Sequence, residues 1–437
     1  MITLRSRDTQ EIESAMRKLV IHCNLFSEVF VMLNAVGIDV SKGRSTVAVL
    51  QPGGVVLHRP FDVFHNTKDL HNLARYLVSL DGETRVVMES TGRYHEPILN
   101  VLSEAVLFVF EVNTHLIKNF GNNTLRKVKT DSADAKKIAR YTLDNWATLR
   151  EYSVMDTTRT ELKTIHSQFN FFMKQKTSAK SNLIALLDET YPDVNKLFSS
   201  PIRSDGSEKW VDFAYSFWHV NCVLDAGLKT FTERYQRFCK RHHYEYQPNK
   251  PVQIYEQAKR LVPAVPKDPI YKELIQDSIQ QLNLISQHVE QLRKKMDELA
   301  SALPEYDTVR AMYGVGPSLG PQLIAEIGDV TRFTHREALT AFAGVDPSKN
   351  DSGQVVHKSG RASKRGSARL RKTLYQIMSV MLKLGPRDDD PVSQFLFKKK
   401  SEGKPYLVYM TAGANKFLRV YYGKVKECLR NQAAQET

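Results

Sequence analysis

The stretch LNAVGIDVSKGRSTVAVL, Leu33 to Leu50, decides the fold. VGIDV and STVAVL are short β-rich runs on either side of the polar turn SKGR, which predicts a hairpin. VVLHRPFDVF, from Val55, supplies a further strand. The chain then alternates: a helix through LHNLARYLVSL, a buried strand in TRVVMES, a helix from HEPILNVLSEA, the strand LFVFEVN, and a helix opening at KTDSADAKKIARY. Strands first paired in hairpins and then interleaved with helices predict an α/β domain, a mixed sheet covered by helices, over residues 36–153. Residues 1–35 precede it as an extension, read as an amphipathic helix and assigned no chemistry.

The middle, residues 154–305, is helical. Leu162, Ile165, Phe169, Phe172, Lys176, Ala179, Leu183 and Leu186 keep one face apolar except at Lys176. A second series, Ile275, Ser278, Leu282, Ile285, Val289, Leu292, Met296, Leu299 and Leu303, holds the heptad step. Such a seam wants a second helix, so it predicts a coiled coil within or between chains; an ordinary bundle helix is the alternative. Between the two seams lies an aromatic insertion, residues 199–266.

Residues 306–437 read as mainly helical. Gly314 and Gly316 form a short turn before an apolar helix, either a helix-hairpin-helix whose backbone N–H groups meet a phosphate or a plain turn between packed helices. Next comes SGQVVHKSGRASKRGSARLRK, Ser352 to Lys372, which carries Lys358, Arg361, Lys364, Arg365, Arg369, Arg371 and Lys372 and no acidic residue. Small residues separate these charges and let backbone lie close to phosphates; a solvated basic face is the competing reading.

Composition agrees. In 437 residues, 62 Lys and Arg stand against 48 Asp and Glu, a net charge of +14, which points to a polyanionic partner. Four scattered cysteines, Cys23, Cys222, Cys239 and Cys428, without a C-x-x-C pair argue for a reduced cytoplasmic protein. Cys239 with His242 and His243 is at most half of a zinc site. No apolar run approaches the roughly 18 residues that span a bilayer, so no membrane partner is expected.

Asp39 ends the first strand, Glu89 ends VVMES, and Asp131 and Asp134 share one face at the mouth of a helix. Beside that helix stand Arg126, Lys127 and Lys129. Each acid alone has a bland reading: Asp131 and Asp134 favoured by the helix dipole, Asp39 capping a turn, Glu89 facing solvent. Together, carboxylates from three elements would repel one another unless a cation sat between them. Oxygen-only ligands favour Mg²⁺ or Mn²⁺, and a pair of such ions suits phosphodiester chemistry.

GIDVSK, MESTGRYHEPI and KTDSADAKKIA resemble the acidic motifs of the DEDD transposases of the insertion-sequence 110 group, which include Piv-type invertases and bridge-RNA-guided recombinases. GVGPSLGPQLIAEIGD, FAGVDPSKNDSGQ and SKRGSARLRKTLY resemble that family's second domain. The resemblance implies a RuvC-like domain of RNase H fold followed by a C-terminal transposase domain. It implies Asp39, Glu89, Asp131 and Asp134 as metal ligands and Ser352, in Asp351-Ser352-Gly353, as the nucleophile. Ser352 alone would read as an ordinary turn residue; Ser348, Ser359 and Ser363 compete, and Ser363 in ASKRG is better placed to bind phosphate. The implied function is strand exchange between donor and target duplex DNA through a covalent phosphoserine, guided by a bridge RNA, with dimers pairing into a tetramer. A RuvC-like nuclease without covalent attachment and a non-catalytic nucleic-acid scaffold are the other readings.

Overall fold

A computed structural model describes residues 32–89, 93–112, 114–120, 130–149, 151–152, 156–347 and 362–436. The expectations for the N-terminal extension, for Arg126, Lys127 and Lys129, and for Ser352, Lys358 and Arg361 lie outside the described residues. The chain divides into two compact units at residues 154/155.

The first unit is a five-stranded sheet of β1 (Leu33–Ser41), β2 (Arg44–Gln51), β3 (Val55–Phe64), β4 (Glu83–Glu89) and β5 (Phe108–Val112), in the order β3-β2-β1-β4-β5. β1 pairs antiparallel with β2 and parallel with β4; β2 pairs antiparallel with β3, and β4 parallel with β5. This mixed order is consistent with an RNase H-like fold. Helices α1 (Thr67–Val78), α2 (Glu96–Glu104), α3 (Thr114–Asn119) and α4 (Asp131–Asp144) complete the unit.

Strand alternation sorts the core into two faces. Val36, Ile38, Val40, Val86 and Met88 pack with leucines of α1 and α2. The opposite face carries Val87 and Val112, which cluster with Ile138 of α4. β1 begins at Leu33, upstream of the Val36 expected from apolar patterning, because Asn34 is buried and donates from Nδ2 to the Asp81 carbonyl at 2.9 Å.

The second unit contains α5 (Thr157–Thr190), α6 (Lys209–Ser216), α7 (Asn221–Leu224), α8 (Gly227–Arg241), α9 (Asn249–Ala258), α10 (Pro269–Ser301), α11 (Tyr306–Arg310), α12 (Leu319–Ile327), α13 (Arg336–Ala343), α14 (Ala368–Leu384), α15 (Pro391–Ser401) and α16 (Tyr406–Glu436). The two long helices that carry the apolar seams, α5 and α10, pack against each other within the chain. Along α10 the buried stripe is Ile275, Ile279, Leu282, Ser286, Val289, Met296 and Ala300. The expected heptad positions Ser278, Ile285, Leu292 and Leu299 are only half-buried. A straight helix turns 3.6 residues per turn rather than 3.5, so alternate contact positions slip by one.

Lys176, the exception in the first seam, is buried on α5. Burial pulls its ammonium below the usual lysine range, opposed by the nearby charges of Glu208 and Glu290. At the mouth of α5, Arg159 reaches Asp156 at 2.5 Å and grips both oxygens of the buried Glu305 at 2.5 and 2.6 Å.

The insertion packs its aromatic rings against both long helices: Phe213, whose ring meets Tyr191, Phe217, Tyr235 and Phe238, clusters with Leu183 and Leu187 of α5 and Ile275, Ile279 and Leu282 of α10. Cys239 is buried there, and among the described residues no group of three or more His, Cys, Asp or Glu is placed to hold a metal. No described helix is long and apolar enough to cross a membrane.

Candidate active site

The acidic end of the first unit is built by one close approach. Gly37 of β1 faces α4 so tightly that a Cβ there would lie 2.2 Å from the Ala139 nitrogen and 2.3 Å from the Ala135 oxygen. Only glycine allows helix backbone to reach strand backbone at this distance. Asp39, two residues on, shares that face of the sheet. On neighbouring β4, Val87 packs with α4, and Glu89, two residues further, takes the same side. Ile38 pairs with Met88, so Asp39 and Glu89 stand one residue past that rung on adjacent strands, about 4.8 Å apart in the pairing direction.

α4 brings the other two acids. Thr130 caps the helix, its hydroxyl accepting from the Ala133 N–H at 3.2 Å, and Asp131 and Asp134 occupy the first turn. Asp131 lies four residues before Ala135, on the stripe over β1; Asp134 lies four before Ile138, on the stripe over β4. Asp39, Glu89 and Asp134 are half-buried and Asp131 is exposed. The fold therefore carries all four to one end of one sheet face, without closing any three of them into a cluster that holds a metal.

Two further residues join them that sequence reading missed. Thr46 pairs with Asp39 on one side and Asp62 on the other, and its hydroxyl donates to Asp62 Oδ1 at 2.7 Å. Arg44 then bridges the row to the helix, 3.2 Å from Asp62 Oδ2 and 3.4 Å from Asp131 Oδ2. A lone acid in a strand gives no signal until register reveals its neighbours; alternation in PFDVF is the only hint. The guanidinium stands where excess negative charge needs a cation, and the all-oxygen donor set suits a hard divalent ion.

In the second unit, Gly314 and Gly316 part company. Gly314 has φ +78° and is buried, where a Cβ would meet Met381 of α14 at 2.7 Å. Packing explains it. Gly316 is exposed, with open space where a Cβ would be. Ser363 donates from Oγ to Asp346 Oδ1 at 2.6 Å, while Pro347 and Ala362 form an isolated bridge. Lys364, Arg365, Arg369 and Lys372 carry the basic patch around the start of α14, and all four are exposed. Arg371 is half-buried and donates to the Ala343 and Gly366 carbonyls at 2.9 and 3.0 Å, so its guanidinium braces the start of α14.

A polar network roots this basic segment in the core. His166 Nδ1 of α5 lies 3.0 Å from Glu326 Oε1 of α12, and Ser367, the cap of α14, donates to Glu326 Oε2 at 2.9 Å. Burial pushes the Glu326 carboxyl up. Contact with His166, with help from Ser367 and Arg369, outweighs burial and holds it below the usual carboxylate range.

Comparison with known proteins shows the family of the chain. A family model described as "Transposase", for the DEDD transposases of IS110, matches residues 36–192, and a second, "Transposase IS116/IS110/IS902 family", matches residues 306–392. A 44.8 kDa protein of insertion element IS116 from Streptomyces clavuligerus is 21% identical over 377 residues, covering 84% of this chain and 88% of the relative. A 43.6 kDa protein of insertion element IS110 from Streptomyces coelicolor is 19% identical, covering 69% of this chain and 71% of the relative. The pilin gene-inverting protein of Moraxella bovis is 24% identical over 146 residues, 32% of this chain and 44% of that protein. With both family models in order along it, the chain belongs to the transposases of the IS116/IS110/IS902 family.

Proposed function

We propose that this transposase cuts and rejoins DNA through a covalent phosphoserine at Ser352, with Mg²⁺ or Mn²⁺ held by Asp39, Glu89, Asp131 and Asp134. The observation that carries the reading is the convergence of three elements, β1, β4 and α4, on one end of the sheet with an acid from each. A bound divalent ion supplies charge neutralisation at the reacting phosphate. The chain's own residues do the rest. The Ser352 oxygen forms the new bond to phosphorus, the bond to the departing sugar oxygen breaks, and the serine proton ends on that oxygen. Exposed Lys364, Arg365 and Arg369 balance the charge that gathers on the phosphate.

Residues 36–153 serve as the catalytic α/β domain, 154–305 as the helical region and 306–437 as the domain that carries the serine. Target choice is delegated to a bridge RNA, which leaves the protein to hold backbone and shape. Dimers pair into a tetramer to hold donor and target together, with the helical region among the contacts. The likeness to a pilin gene-inverting protein supports strand exchange over simple hydrolysis.

The test is a denaturing gel of labelled DNA with Mg²⁺, comparing wild type, Ser352→Ala, Ser363→Ala and Asp131→Ala. Ser352→Ala and Asp131→Ala should keep nucleic-acid binding yet form no protein–DNA adduct. An adduct that survives Ser352→Ala and vanishes in Ser363→Ala would move the nucleophile to the serine beside Asp346. Cleavage with no adduct in any variant would establish the nuclease reading instead, and no Mg²⁺-dependent cleavage the scaffold.

A further inference from the structure

The insertion holds a basic cavity that the strand-transfer chemistry does not use. α8 buries Phe231, Tyr235, Phe238 and Cys239 against the aromatic core. Its outer surface carries Lys229, Arg234, Arg237, Lys240 and Arg241 against the single acid Glu233. Arg234, Arg237 and Arg241 follow at steps of three and four, so they form one stripe. All three are exposed, and among the described residues none makes an ion pair with a carboxylate. They line a cavity of about 270 Å³ whose other wall brings Lys267, held 2.9 Å from Asp225. Four cations share one hollow, with Glu233 on the same helix and Asp225 at Lys267 as the nearby carboxylates.

Like charges three and four apart on a helix repel, so the stripe weakens its own helix unless an anion covers it. We propose that Arg234, Arg237, Arg241 and Lys267 form a second nucleic-acid site that grips the phosphate backbone of duplex DNA, independent of the patch on α14. Three features select that partner. The aromatic rings that line the cavity, Phe217 and Phe238, are buried, so neither offers the stacking platform that unpaired strands use. The stripe runs seven steps from Arg234 to Arg241, about 10 Å along the helix, which is about three phosphates of one strand at roughly 3.4 Å of axis each. DNA is the polymer on which a transposase acts. The insertion thus adds sequence-independent grip outside the catalytic domain.

The experiment uses the full chain and a fluorescent DNA duplex of arbitrary sequence, titrated between about 50 and 200 mM salt. Replacing Arg234, Arg237 and Arg241 together by Gln should lower the slope of log affinity against log salt by about 2.7, at about 0.9 for each phosphate no longer neutralised. The triple Arg→Lys variant keeps the charge and should restore the slope. Lys259→Gln, an exposed cation of the same insertion already paired with Glu256 at 2.8 Å, should leave it unchanged. Should the triple Gln variant melt early, Arg237→Gln alone still has to lower the slope by about 0.9. An unchanged slope, an equal decrease in Lys259→Gln, or a decrease seen only with duplex RNA would each overturn the proposal. Binding slopes do not depend on adduct formation, so failure here leaves the Ser352 test standing, and the reverse.

Discussion

Replacing Gly37 by alanine should disturb the acidic end of the first unit without touching a single acidic residue. The added Cβ would lie 2.2 Å from the Ala139 nitrogen and 2.3 Å from the Ala135 oxygen, both backbone atoms of α4. Neither can rotate away as a side-chain tip could. To reach the 3.4 Å at which ordinary contact begins, the helix must retreat from β1 by about 1 Å. Overpacking of this kind costs about 1–3 kcal/mol. Alanine in a strand would otherwise be favoured by roughly 0.5–1 kcal/mol, so any net loss reports the clash. Asp131 and Asp134 ride on α4, and a displacement of that size costs on the order of 10²-fold in rate where groups must align. The assay pairs a circular-dichroism melt with Mg²⁺-dependent cleavage of labelled DNA. A variant that melts at or above the wild-type temperature and cleaves within about twofold of it would refute the close packing of α4 on β1.

Arg159→Met should destabilise the second unit by about 3–5 kcal/mol, because it leaves the buried Glu305 uncompensated; chemical denaturation should recover much of the loss when Glu305→Gln is added. Lys176→Met should leave the melting temperature unchanged or raise it, since it removes a charge that burial disfavours, and a lower melting temperature would mean that attraction to Glu208 and Glu290 outweighs burial. Glu326 has its folded carboxyl depressed, so the stability it contributes is fully present above its ordinary value of 4.5 and is lost as pH falls through the lower folded value. Denaturation of wild type and Glu326→Gln across that window should show the difference shrinking only below pH 4.5.

Local pattern carries the sheet. VGIDV, STVAVL and VVMES alternate and end at turn residues, and they stand as β1, β2 and β4. Thr130 before Asp131 announces α4 because a hydroxyl cap is written in two adjacent residues. Where sequence reading fails, the missing information is spatial. Half of the heptad positions on α10 slip by one, since the 3.6-residue turn of a straight helix does not track a 3.5-residue repeat. Arg371 reads from sequence as one of the phosphate-binding cations, and its bond to the Ala343 carbonyl at the end of α13 joins residues 28 apart in sequence, which no local pattern shows. Aromatic residues of the insertion build a core without periodicity, so their spacing says nothing about which will meet.

Asp62 and Arg44 show most clearly what register adds. Asp62 stands two strands away from Asp39, and only the pairing of Thr46 with both of them turns three scattered residues into one row. Arg44 sits at the hairpin turn, one strand from β1, yet its guanidinium reaches the first residue of α4. The chemistry-bearing side chains are therefore spaced by residues that carry no chemistry: Gly37 sets how near α4 comes, and Ala135 and Ala139 leave no bulky side chain to hold it off. An acid moved one residue along β1 or β4 would point to the opposite face of the sheet, among Ile38 and Met88, where burial would favour its neutral form. The sheet order and the glycine thus constrain the acidic motifs as strongly as the acids themselves do.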